Sequence, residues 1–306
     1  MRFPRSTWAP AVAGAALPLT WFVLRDLGGP VEAVAVALPL VVLVLALPLV
    51  LLAVLRHERR VLPAVLSLVI LGVTTTLGPR LPRTGPPPAS PLRLVSANTY
   101  AYNPVPAAAV RAILGADADV EIFIETSPEL RLLLEEADPD HPYTSLDNQL
   151  VVRSRYPIVP MADPPGVPER RILRLTVETP GGPVVLYAVH ALNPLSESSL
   201  ADQLEWVDGL RTAAAQETDP VVLAGDFNMS DRQLGYRRLT SDLRDAVTAA
   251  GWGHTTYPDG AWAPLMLRID HVFVPRDWCA ARSRTLHVPG SDHAGLAVDV
   301  GPCPGS

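Results

Sequence analysis

Asp226 and Asn228 stand two apart at the end of the run Val221–Ser230, VVLAGDFNMS, in which four apolar residues meet a glycine, an acid, an aromatic and an amide. A buried strand that ends this way delivers polar side chains into a cleft. If the extended conformation persists, the carboxylate and the amide point to the same face. The pair then suits holding a metal-bound phosphate beside a water; it equally suits a strand end closed by an Asx-turn. Glu125 closes a Val, Ile and Phe run, where a buried charge must be paired or ligate a metal and an exposed one is a salt-bridge partner. Asn98 and His190 end two further apolar runs, as a turn former or ligand and as a hydrogen-bonded or catalytic imidazole. Asp270 and His271 sit inside the β-prone stretch MLRIDHVFV and need partners there. Asp292 and His293 enter a last strand, as a metal or phosphate site or as a turn with a surface imidazole.

The elements that must position these residues follow from periodicity. Strands are predicted over Leu92–Ala97, Ala118–Ile124, Asn148–Val152, Arg171–Val177, Val184–Val189, Met266–Val274 and Gly295–Val300, with the fourth beside the third. Helices are predicted over Pro106–Leu114 and Pro128–Ala137. Another is expected over Ser196–Thr212, with Leu200, Leu204, Val207 and Leu210 on one face, and others from Ser230 through Tyr236 and over Leu243–Ala250. Polar residues at strand ends spread over some two hundred positions converge on one cleft when the strands share a sheet sandwich.

The motifs GDFN, SDH and IDHVFV, together with Glu125, Asn98 and His190, resemble the endonuclease/exonuclease/phosphatase superfamily, that of DNase I and the sphingomyelinases, over Arg93–Val300. The resemblance implies an α/β fold, a four-layered sandwich of two packed sheets with helices outside, and phosphoester hydrolysis with Mg²⁺ or Mn²⁺. Glu125 matches the acidic metal ligand, with Asn98 and Asp292 completing the metal surroundings. Asp226 matches the residue that orients or deprotonates the attacking water, and Asn228 the one that holds the phosphate. His293 matches the histidine on the scissile phosphate, with Asp270 behind it, and His190 the histidine beside the leaving group. Ile124 stands where many members carry Gln, and neither the catalytic Tyr of the AP-endonuclease pattern nor basic DNA-gripping loops have a counterpart.

The apolar residues are unevenly spread. Runs at about 8–24, 31–55 and 61–77 carry a single charge, Glu32, and read as three transmembrane helices, the first alternatively as a signal peptide. They form a membrane anchor over 1–79, followed by a proline-rich spacer over 80–91 and the phosphoesterase-like domain over 92–306. Arginines near the helix ends divide five to three in favour of a cytoplasmic N-terminus, which places the domain outside the cell membrane. From residue 84 onward 17 arginines face 28 acidic residues, a formal charge of −11, and the chain contains no Lys. Nucleic acid, gripped through its backbone by basic surface, is not the expected partner. Cys279 and Cys303 are either inert thiols or, in an oxidising compartment, a disulfide joining neighbouring antiparallel segments.

The arrangement also resembles a membrane-anchored actinobacterial branch of the superfamily that includes a teicoplanin-resistance-associated protein. It implies a lipid-linked phosphate or pyrophosphate substrate at the outer leaflet. An outward-facing nuclease is the alternative enzyme, and a non-catalytic sensor that binds a phosphorylated lipid is the alternative of another class. The oligomeric state is not legible in the sequence.

Overall fold

A computed structural model describes residues 19–28, 30–57, 61–136, 140–164, 166–167, 172–194, 199–259 and 267–305. The chain divides into two units, one chiefly of residues 1–80 and the other of most residues from 81 onward.

In the first unit, α1 (Pro30–Leu55) and α2 (Leu62–Thr76) are formed mainly by Leu, Val and Ala, with Glu32 the polar residue of α1 and Ser67 and Thr74 to Thr76 those of α2. Two helical segments, Pro30–Leu55 and Leu62–Arg80, are long and apolar enough to cross a membrane. Pro39 and Pro48 lie inside α1 without ending it. Of the first expected span, residues 8–18 lie outside the described residues and 19–24 are helical. Two such helices are therefore described where the sequence leads one to expect three.

The second unit is a sandwich of two mixed six-stranded sheets. The first contains β1 (Leu92–Asn98), β2 (Val120–Ile124), β3 (Tyr143–Asp147), β4 (Leu150–Ser154), β11 (Trp278–His287) and β12 (Ala294–Pro302), in the order β11-β12-β1-β2-β4-β3. The second contains β5 (Ile158–Pro160), β6 (Ile172–Thr179), β7 (Gly182–His190), β8 (Val221–Asp226), β9 (Arg244–Asp245) and β10 (Asp270–Val274), in the order β5-β6-β7-β8-β10-β9. β4 and β6, expected as neighbours, thus belong to different sheets; residue 171, at the predicted start of β6, is outside the described residues.

Alternation builds the layers. Ile122 and Ile124 of β2 turn inward with Leu94, Leu175, Leu186, Val222, Val272 and Val298 to form the core between the sheets. Phe123, on the opposite face, packs outward against α3 (Pro106–Leu114) and α4 (Pro128–Glu136). On the other flank Tyr187, Leu223 and Phe273 pack with Trp206, Val207 and Leu210 of α5 (Leu200–Ala215) and Leu239 of α6 (Leu234–Asp242). β2 and β8 are buried on both faces, which is why they read as nearly continuous apolar runs. The Ser199 capping box starts α5, and Asp245 caps the short α7 (Ala246–Ala250). Ser230 does not start α6, which begins four residues later.

The proline-rich segment does not stand clear of the domain as a spacer. Arg83 N–H donates to the Thr248 carbonyl at 2.7 Å, and Ala89 N–H to the Pro302 carbonyl at 2.9 Å. Cys279 opens β11 and Cys303 follows β12, and the two antiparallel strands bring them into a disulfide.

Candidate active site

The strand directions gather the polar residues at one edge. β7 and β8 run parallel with His190 opposite Asp226, and β8 and β10 run antiparallel with Asp226 opposite Asp270. In the first sheet, β1 and β2 run parallel with Asn98 opposite Ile124, so Glu125 emerges next to Asn98. β12 runs antiparallel to β1, which brings its entrance, at His293, to the same edge. Ends of parallel strands and starts of antiparallel ones therefore meet. Gly225 permits the close approach of β7 and β8: its φ is +148°, and a Cβ there would lie 2.0 Å from the Val189 carbonyl oxygen.

Asn98 lies at the centre of one half of the site. Its Nδ2 donates to Glu125 Oε1 at 2.9 Å and to Asp226 Oδ2 at 3.1 Å, while its Oδ1 accepts from Tyr100 N–H at 3.0 Å. Glu125, with a left-handed φ of +56°, also accepts from Ala101 N–H at 3.2 Å and lies 3.4 Å from His190 Nε2. Burial pushes the Glu125 carboxyl up, but His190, the Asn98 amide and the Ala101 N–H outweigh it and lower it to about 2. It is therefore a carboxylate at any physiological pH.

His293 and Asp270 form the other half. His293 Nδ1 lies 2.9 Å from Asp270 Oδ2, and its Nε2 points to Asp226 Oδ2 at 3.8 Å. Burial opposes charge on the ring, yet Asp270, then Asp226, raise it to about 10. The group at this position is an imidazolium. Burial, and next the charge of Asp270, raise the Asp226 carboxyl to about 6 against the pull of His293 and His190. Ser291 Oγ accepts from His293 N–H and donates to the Asn98 carbonyl, tying the two halves together.

Asn228 reaches the cleft by a different route from strand alternation. β8 ends at Asp226, Asn228 has a φ of +46°, and its N–H donates to Asp226 Oδ1 at 2.8 Å, an Asx-turn. Its Nδ2 donates to the Ala191 carbonyl at 2.8 Å, leaving one N–H of the amide for a ligand. Of the two readings of the motif the structure shows the Asx-turn, and that turn sets the direction of the amide. Asp270 begins β10 rather than lying within a strand. His271, on the opposite face, is buried among Phe227, Tyr236 and Phe273 and takes no part in the site. Asp292 is exposed at the rim, where its charge reinforces that of His293.

Sequence reasoning missed Tyr257 and Thr256. The Tyr257 ring packs on His293 with centroids 4.8 Å apart, and Thr256 Oγ1 accepts from the backbone N–H groups of Ile269 and Asp270. Their segment has neither apolar period, and the one available signal was Thr-Tyr-Pro, a turn.

Among the described residues two groups have ligand atoms close enough to share a cation, Glu125 with His190 and Asp226, and Asp226 with Asp270 and His293. The donors fit a hard divalent ion. Carboxylate oxygens dominate, Glu125 is mostly buried with a minor part open to water, and Asp270 Oδ1 is buried without a hydrogen-bond partner among the described residues.

The model of the Endonuclease/Exonuclease/phosphatase family matches residues 95–293. No curated protein matches in sequence. Among solved structures, an endonuclease/exonuclease/phosphatase from Beutenbergia cavernae DSM 12333 is 23% identical with a TM-score of 0.51, over 69% of this chain and 72% of that one. Humanized D. rerio TDP2 is 18% identical with a TM-score of 0.54, over 69% and 99%. Sphingomyelinase C from Streptomyces griseocarneus is 17% identical with a TM-score of 0.52, over 69% and 99%. These similarities extend to the fold.

Proposed function

Since the chain belongs to the endonuclease/exonuclease/phosphatase family, we propose that it is a Mg²⁺- or Mn²⁺-dependent phosphoesterase anchored in the cell membrane, its domain outside, acting on a lipid-linked phosphate or pyrophosphate at the outer leaflet. The observation that carries the hydrolytic reading is the convergence of Glu125, His190, Asp226, Asp270 and His293 from both sheets on one edge. Three membrane-spanning helices over residues 1–79, two of them the described apolar segments, would confine the site to a thin layer beside the headgroups. A domain of formal charge −11 from residue 84 onward favours such a substrate over a nucleic acid.

Glu125, aligned by Asn98 and with Asp292 at the rim, would hold the ion, which supplies charge withdrawal from a phosphoryl oxygen. Asp226, with its carboxyl raised to about 6, orients the attacking water and accepts its proton. Asn228 directs its remaining amide N–H toward a phosphate oxygen. His293, held as an imidazolium by Asp270, neutralises the negative charge that develops as water adds. His190, 3.4 Å from Glu125, stands beside the leaving group.

The test is a panel of lipid pyrophosphates, phosphomonoesters, phosphodiesters and plasmid DNA offered to the detergent-solubilised protein with Mg²⁺ or Mn²⁺. Release of phosphate from a lipid substrate, abolished in Glu125→Ala and Asp226→Ala, is the expected result. Undiminished turnover in both variants overturns the assignment of the site, and nicking of DNA in place of lipid hydrolysis overturns the substrate. A reporter at the C-terminus that reads cytoplasmic overturns the outer-leaflet placement.

A further inference from the structure

Arg83, Arg244 and Arg276 line a cavity of about 510 Å³ that also contains Asp245 and the Cys279–Cys303 disulfide. It lies at the end of the sandwich away from the candidate active site. β10 and β12 both begin at that site and run to the cavity, and the nine residues of β12 alone span ~30 Å.

Among the described residues Asp245 is the one acid on the lining, and its charge is already engaged. Its carboxylate is buried, paired with Arg268 at 2.5 Å, and accepts from the Tyr236 hydroxyl and the N–H groups of Val247 and Thr248. Arg276 is held by donation to the Thr240 and Ser241 carbonyls, and its charge also acts on the Asp242 carboxylate, which Arg211 already pairs. Arg83 and Arg244 make no side-chain hydrogen bond or ion pair among the described residues. Three arginines thus line one concave space in a domain whose arginines are outnumbered by acids. The backbone bond from Arg83 to Thr248 holds the main chain at the first of them against the domain.

We propose that this cavity binds a phosphate-bearing anion. Guanidinium forks match phosphate oxygens in pairs, and Thr84 on the lining carries a hydroxyl. Two sources share that chemistry. Inorganic phosphate is one. A lipid headgroup is the other, because Arg83 follows Arg80, the end of an apolar segment, by three residues, at most ~11 Å of chain. The site stands independently of the hydrolytic reading.

The full-length chain in detergent, stripped of metal with a chelator, is titrated calorimetrically with inorganic phosphate and with dioctanoyl phosphatidic acid. Saturable binding at one site is expected, weakened at least tenfold in Arg83→Gln/Arg244→Gln and kept within twofold in His293→Ala. Phosphatidic acid binding tenfold tighter than phosphate identifies the headgroup; equal affinities identify the free anion. No saturable binding of either, an unaltered affinity in the double variant, or loss in His293→Ala overturns the proposal. Should the double variant fail to fold, Arg83→Gln alone, at an exposed position, carries the test with an expected threefold or greater loss.

Discussion

Asn98, at the end of β1 in one sheet, donates its amide to the carboxylate of Asp226, at the end of β8 in the other, across 3.1 Å. The same nitrogen reaches Glu125, so one side chain spaces two carboxylates that would otherwise repel and links the sheets where their apolar core gives out.

Asn98→Ala leaves both carboxylates short of a donor. Turnover and metal affinity should each fall on the order of 10- to 100-fold, and stability by ~1–3 kcal/mol. Kinetics with a metal titration and a denaturant curve check this, and activity within twofold of the parent would remove Asn98 from the positioning role.

Asp270→Asn withdraws the main partner of the His293 ring. In the metal-free parent, NMR should find His293 protonated through pH 8, with loss of the proton near pH 10; in the variant that loss moves down by more than a unit. Because the folded value exceeds the ordinary 6.5, the pair's stabilisation is complete below pH 6.5 and fades as pH rises through about 10. A ring that titrates alike in both proteins sinks this reading.

His271 behaves oppositely. Burial, and then the charge of Arg268, lower it to about 4 from 6.5, so the unfolded chain binds the extra proton between those values. Stability should drop by ~3 kcal/mol as pH falls from 6.5 to 4. His271→Gln, neutral throughout and able to donate to the Met229 carbonyl as His271 does, should flatten that part of the pH–Tm curve.

Gly225→Ala forces a Cβ against the Val189 carbonyl at a positive φ, where neither strand has room to yield. A loss of about 3 kcal/mol or more is expected, with turnover falling as His190 and Asp226 separate. An unchanged Tm would contradict it.

Reduction of the Cys279–Cys303 bond, or Cys303→Ser, opens a loop closed over a separation of 24 residues. The loss should be about 3 kcal/mol by chain entropy. Thermal melts with and without reductant decide it, and coincident melts would show the bond to be dispensable.

Composition and alternation by themselves determined the apolar helices, the buried strands and the polar residue ending each, because burial leaves its period in the residue types. GDFN, SDH and IDHVFV were legible as chemistry for the same reason: polar groups at the ends of apolar strands are conspicuous. Tertiary structure alone decided which strands share a sheet. It placed β4 and β6 in different sheets and β7 beside β8, since pairing depends on chain crossovers that no local pattern records. It also decided that a turn, not strand alternation, aims Asn228, and that Tyr257 covers His293. Above all it raised both Asp226 and His293, the first toward its neutral form and the second toward its charged form, because a charge's energy depends on what is packed within a few ångströms, and those neighbours come from strands far apart in the chain.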